Sequence, residues 1–140
     1  MVWLTANLSE ETQKTKEFAF ALMSSVMQAI FQKTNHSKKG EEKEKELLLA
    51  YVTVLYRFLE GAPVLQIEAI YAIQTHWHKH ACPTGLFLRY LRLLYGKVFT
   101  EEALNQWKAS SDHKYPAKKQ ALEDSDAFFQ WLINAQEESG

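Results

Sequence analysis

Apolar residues recur along this chain at spacings of three and four, the period of a helix face rather than the alternation of a strand. Phe18, Leu22, Val26 and Ile30 form the first stripe, widened by Phe20, Met23 and Met27. Ser9, Glu10 and Glu11 predict where that helix starts, with a hydroxyl cap and two carboxylates at the positive end of the dipole. Thr34-Asn35 predicts its end. Residues 36–46 (HSKKGEEKEKE) are the most polar run in the chain. Their mixed signs read as a solvated loop leading into the exposed first turns of the next helix, rather than as a charged docking strip. Residues 47–59 (LLLAYVTVLYRFL) are nearly all apolar, with both the 47/51/54/58 and 48/52/55/59 tracks hydrophobic. A helix of that kind is expected to lie between neighbours. Its length outweighs the strand-like Val52-Thr53-Val54.

Gly61 and Pro63 stop this helix and start the next. That one carries Ile67, Ile70, Ile73 and Trp77 at mixed spacings of three and four and reads as amphipathic. Pro83 ends it, since proline lacks the amide and disfavours helix before it. Thr84 is the expected cap of a helix running to about Tyr95, which Gly96 terminates. Thr100 caps a short helix to about Ala109, with Leu104 and Trp107 facing in. Residues 110–116 read as a turn-rich loop. The last helix spans about 117–138, with a possible new start at Ser125 and a stripe of Phe128, Trp131, Leu132 and Ala135. No strand pair is apparent. Six or seven helices joined by short loops in successive antiparallel hairpins make an all-α fold, either a bundle or an α-solenoid of HEAT type.

At 140 residues the chain fits one domain, and a core can form without metal or disulfide. A net charge of −1 creates no general field for nucleic acid. The single cysteine, Cys82, excludes an internal disulfide and fits a reducing compartment. No cationic segment followed by an apolar run begins the chain, and no apolar stretch approaches the ~20 residues of a membrane span. These features favour a soluble protein, cytosolic or nuclear, without a membrane partner, and a cytoplasmic location is the expectation.

Four groups of residues carry possible chemistry. His76 and His80 share one helical face at the spacing of helical zinc pairs, with His78 and Cys82 nearby. The glutamate of the metalloprotease motif is missing and no further ligand is evident, so a histidine-rich polar face is the simpler reading. Cys82 before Pro83 fits a packed loop residue better than a nucleophile. Lys79, Arg89, Arg92 and Lys97 among tyrosines offer RNA a basic surface, although arginines on such a face usually pair with nearby carboxylates. After Lys119 there is no cationic residue, while Glu123, Asp124, Asp126, Glu137 and Glu138 follow. Carboxylates beside exposed aromatics suit a basic peptide with apolar anchors. Spacing alone places the same aromatics in the core.

Two segments bear on that choice. The first holds Leu93-Leu94-Tyr95, Glu101-Glu102-Ala103 and Trp107-Lys108; the second holds 128–132 and 135–138. Together they resemble the paired acidic and aromatic boxes of the C-terminal two-tryptophan domain of translation initiation factors. That family includes the gamma subunit of initiation factor four, death-associated protein five, initiation factor five and the epsilon subunit of initiation factor two B. Residues 67–74 (IEAIYAIQ), 83–90 (PTGLFLRY) and 115–122 (YPAKKQAL) look most like the death-associated protein five branch. The resemblance covers about residues 65–139. It implies a HEAT-type helical domain that docks other proteins, with no catalytic centre and no cofactor. The implied partners are a MAP-kinase-interacting kinase, which presents a basic segment, and initiation factor two beta with its lysine-rich segments. The implied partner-binding residues are Tyr95, Phe99, Glu101, Glu102, Trp107, Phe128, Trp131, Glu137 and Glu138. Trp107 and Trp131 are expected to be largely structural, with the four glutamates making contact.

The chain departs from the family in two places. Gly96-Lys97 stands where relatives usually carry an acidic residue after the tyrosine, and the end of the second box is less acidic. At an exposed site each lost charge weakens a basic partner's attraction by ~1 kcal/mol or less. Relatives carry the domain at the end of long chains, so the expectation is either an excised piece or a short product.

Overall fold

A computed structural model describes residues 16–110 and 115–139, with only the helical backbone for 136–139. The described residues form six α-helices: α1 (Lys16–Thr34), α2 (Glu41–Leu59), α3 (Pro63–Lys79), α4 (Leu86–Leu94), α5 (Glu101–Ala109) and α6 (Lys118–Ser139). A 3₁₀ turn, Lys38–Gly40, leads into α2. The start expected at Ser9 lies outside the described residues.

The closest packing joins alternate helices. α1 packs on α3 and α3 on α5, while α2 touches α4 and α4 packs on α6. This makes two layers, α1-α3-α5 and α2-α4-α6, with α1 also against α2 and α3 against α4. Stacking of like helices over like is the solenoid arrangement expected from the sequence. One hydrophobic cluster runs through both layers, from Met23 and Met27 through Ile70 and Phe87 to Trp107 and Phe129.

Several helices differ from their predicted faces. In α1 the buried line is Ala19, Met23, Val26, Met27 and Ile30, so Phe18 and Leu22 sit at its edge. α2 begins at Glu41, within the run expected to hold its first turns, but is not enclosed: Leu49 and Tyr56 are exposed, and Thr53 and Arg57 face water. α3 is the enclosed helix, buried almost throughout from Leu65 to Trp77, including Gln66, Glu68, Gln74 and His76. Polar residues made α3 look amphipathic, but Gln66, Glu68 and Gln74 have partners inside. Gln66 Nε2 donates to the Leu59 carbonyl (2.9 Å). Tyr115 donates to Glu68 Oε2 (2.5 Å). Gln74 Nε2 donates to the Pro116 carbonyl (2.5 Å).

The polar run before residue 47 also contributes to the interior. Glu44 is 1% exposed. It accepts from His36 Nδ1 (2.5 Å) and pairs with Arg89 of α4, whose other nitrogen is 3.4 Å from Glu41. Burial alone raises the Glu44 carboxyl, but the His36 and Arg89 bonds outweigh it and hold it below the usual carboxylate range.

Two caps were misplaced by local reading. Thr84 does not cap α4. The N-cap is Gly85 at φ 80, and the Gly85 and Leu88 amides donate to Asp124 of α6 at 2.7 and 3.2 Å. Ser125 does not restart the last helix; its buried hydroxyl donates to the Ala121 carbonyl (2.7 Å) and α6 continues. Thr100 does cap α5, accepting from the Ala103 amide (3.1 Å).

Candidate docking surface

The two boxes meet around the loop from α4 to α5 and the outer edge of α6. α4 ends where Tyr95 turns extended and Gly96 adopts φ 79. The chain then closes a tight turn, with the Gly96 amide donating to the Phe99 carbonyl (3.0 Å). At that φ any side chain with a Cβ is strained.

Trp107 is fully buried and sits at the centre of the layers. Its ring lies 5.2 Å from Phe87 and is stacked at 6.0 Å on Phe129. Its indole N–H donates to Gln74 Oε1 (3.0 Å), and Lys118 Nζ lies 4.1 Å over the ring. Phe99 and Phe128 are also in the core. These three shape the surface from beneath.

Trp131 is placed differently. It is 45% exposed and lies just off the buried α6 line of Ala121, Ser125, Phe128, Phe129 and Leu132. Of the expected stripe, Phe128 and Leu132 are buried and Trp131 is not, so the role of Trp131 in holding the last helices together passes to Phe129. Half-buried Tyr95 meets the Trp131 ring edge-on at 6.0 Å and the Phe128 ring at 5.9 Å. Tyr95 and Trp131 thus make an aromatic ledge at the surface.

The acidic residues divide into two groups. Glu102 is exposed and accepts from Gln106 Nε2 (3.1 Å). Glu101 is partly exposed and lines a hollow of about 440 Å³ that also includes Tyr95, Lys97, Tyr56 and Glu60. Asp124, by contrast, is occupied with the α4 amides. The side chains of Glu137 and Glu138 lie outside the described residues. Sequence reasoning missed Tyr56 and Glu60, whose side chains are joined by a 2.8 Å hydrogen bond. The polar positions 53, 57 and 60 on the same side of α2 were the available signal for an exposed face.

The other chemical candidates part into separate groups: the basic residues are split up, and His76 and His80 gather with His36. Arg89 is committed to Glu41 and Glu44, which separates it from Lys79 and Arg92 as a basic patch. His76 Nε2 lies 2.9 Å from His36 Nε2, and the His80 ring is 4.3 Å from His76, while His78 faces water. Among the described residues no group of three or more His, Cys, Asp or Glu is placed to hold a metal ion. Burial, then the charge of Asp124, raises the Cys82 thiol, which disfavours the thiolate a nucleophile needs. No helix among the described residues is long and apolar enough to cross a membrane.

A two-layer helical solenoid with paired aromatic and acidic segments at its C-terminal end is the architecture of a protein-interaction module of translation initiation. Residues 65–140 match the W2 family, eIF4-gamma/eIF5/eIF2-epsilon, and the chain belongs to that family. It is 32% identical to human eukaryotic translation initiation factor 4 gamma 2 over 148 residues, covering 97% of this chain and 16% of the relative. It is 30% identical to mouse eukaryotic translation initiation factor 4 gamma 3, covering 98% of this chain and 9% of that protein. It is 29% identical to mouse eukaryotic translation initiation factor 4 gamma 1, over 97% of this chain and 8% of that protein. The chain therefore spans a sixth or less of these relatives.

Proposed function

We propose that residues 1–140 act as one non-catalytic docking domain in cytoplasmic translation initiation, receiving a basic, apolar-anchored segment of a MAP-kinase-interacting kinase or of initiation factor two beta. The observation that carries this reading is the ledge of exposed Trp131 and half-buried Tyr95, with the Glu101 carboxylate lining the same hollow as Tyr95. A large aromatic left half in water gives a partner desolvated contact, and the carboxylates steer a cationic segment to it. Tyr56 and Glu60 extend the contact surface onto α2. Gly96-Lys97 weakens attraction for a polybasic partner, so preference shifts toward segments with fewer cations and stronger apolar anchors.

The test is an affinity purification from cell extract with wild type and the Glu101→Lys, Glu102→Lys, Glu137→Lys, Glu138→Lys variant. Loss of the kinase or the initiation factor, with helical circular dichroism retained, is the expected result. Equal capture by the reversed protein refutes this surface.

A further inference from the structure

Beside the aromatic ledge, between α4 and α6, lies a cleft of about 160 Å³ lined by Leu88, Arg92, Ala127, Phe128 and Trp131. It is well below the 300–1,000 Å³ typical of small-molecule pockets, which makes it a seat for a single side chain. Its floor and walls are apolar apart from Arg92, whose guanidinium carbon is 6.0 Å from the Trp131 ring centre. Arg92 is exposed and makes no ion pair among the described residues. The neighbouring charges differ. Arg89, one position short of the next turn, is bound to Glu41 and Glu44, and Asp124 is bound to the α4 amides. Glu123 and Asp126 line a separate hollow with Leu122. Among the described residues Arg92 is thus an uncompensated cation on the rim of an apolar cleft, held over an indole face. Guanidinium stacked on an aromatic keeps its planar donor edge free for a carboxylate.

We infer that this cleft receives an aliphatic side chain of a partner protein that carries a carboxylate close beside it, with the aliphatic group on Leu88, Phe128 and Trp131 and the carboxylate on Arg92. The inference rests on the docking reading and sharpens it. The partner segment is bipolar, cationic where it faces Glu101 and Glu102 and anionic where it faces Arg92. A purely polybasic segment matches only half of this surface, because Arg92 repels a cation placed over the cleft.

The test uses the whole chain labelled with 5-fluorotryptophan, with the Trp131 resonance assigned by Trp131→Phe, and follows fluorine NMR during titration with small probes. N-acetyl-leucine combines an isobutyl group with a carboxylate; N-acetyl-leucinamide is its neutral counterpart. N-acetyl-leucine is expected to shift the Trp131 signal saturably and the amide to bind at least several-fold more weakly. Arg92→Gln is expected to abolish that difference while leaving the buried Trp77 and Trp107 signals in place. Equal binding of the two probes, an unchanged preference in Arg92→Gln, or no Trp131 shift with either probe overturns the proposal. The four-glutamate reversal leaves the N-acetyl-leucine shift unchanged if the cleft is a distinct subsite. The basic-partner reading can therefore fail in the purification without this result changing, and the reverse also holds.

Discussion

Gln74 is fully buried, and both ends of its amide are used: it accepts from the Trp107 indole and donates to the Pro116 carbonyl. Gln66, nearer the start of α3, has a similar role, accepting from the Thr100 amide (2.9 Å) while donating to Leu59. Two glutamines of α3 thereby fix where α5 begins and where its tryptophan points. Gln74→Met preserves bulk but leaves an indole N–H and a carbonyl unpaired, so a loss of about 2 kcal/mol or more is expected in urea unfolding. The loss should shrink in a Trp107→Phe background, where the N–H is already gone.

His76 gives the second prediction at this scale. Burial, followed by the charges on His80 and His36, pushes its imidazole down to about 3 from the ordinary 6.5. Between those values the unfolded chain binds more protons than the folded one. Stability is therefore complete above pH 6.5 and falls as the pH drops, by at most about 1.4 kcal/mol per pH unit. His80 is lowered as well, chiefly by burial, and acts in the same direction. Urea midpoints at pH 7.5 and pH 5 check this: His76→Gln is expected to flatten the dependence partly, leaving the His80 contribution.

Among the elements, α2 and α3 exchange the places their sequences suggest. The 47–59 run of α2 is nearly all apolar yet shows one face to water, because α1 and α4 cover only part of it. α3 lies inside despite Gln66, Glu68, Gln74 and His76, since each of these four meets a partner from another element. Hydrophobic periodicity measures average polarity, and it cannot distinguish a solvated glutamine from one bonded across a layer. The same limit applies to the α4 cap. Asp124 is 39 positions from Gly85 in the chain, so no local rule locates it. Asp124→Ala is expected to cost about 1–2 kcal/mol, as for other lost N-terminal caps, and to speed hydrogen exchange at the Gly85 and Leu88 amides. Asp124→Asn, which keeps one acceptor, should fall between the two.

The two-layer stack of the whole molecule gives its tryptophans opposite roles. Trp107 lies where α3, α4, α5 and α6 meet, and Trp131 lies on the outside of α6. Trp107→Ala is expected to lose about 3–5 kcal/mol, the range for a large buried aromatic. Trp131→Ala should lose less than about 1.5 kcal/mol, because nearly half the side chain is already in water. Partner capture should show the opposite order at the level of folded protein: Trp131→Ala removes it with little change in the melting curve. A Trp131→Ala protein that binds normally would exclude the ledge as a contact.

Helical class, the approximate ends of most helices and the Thr100 cap follow from short-range rules, because capping, turn formation and a 3.6-residue period are decided within a few neighbours. Membership in the two-tryptophan family was also legible, since it resides in the order and spacing of residues such as Tyr95, Glu101, Trp107 and Phe128. Only the tertiary structure decided which surfaces those residues occupy. On α6 the exposed Trp131 stands one position from the buried Leu132 and three from the buried Phe128, and that rotation is set by packing on α4. Burial of Glu44, capture of Arg89 and the removal of Asp124 from the acidic surface depend on partners dozens of residues away. Charge counted along the chain is therefore a poor guide to charge available at the surface.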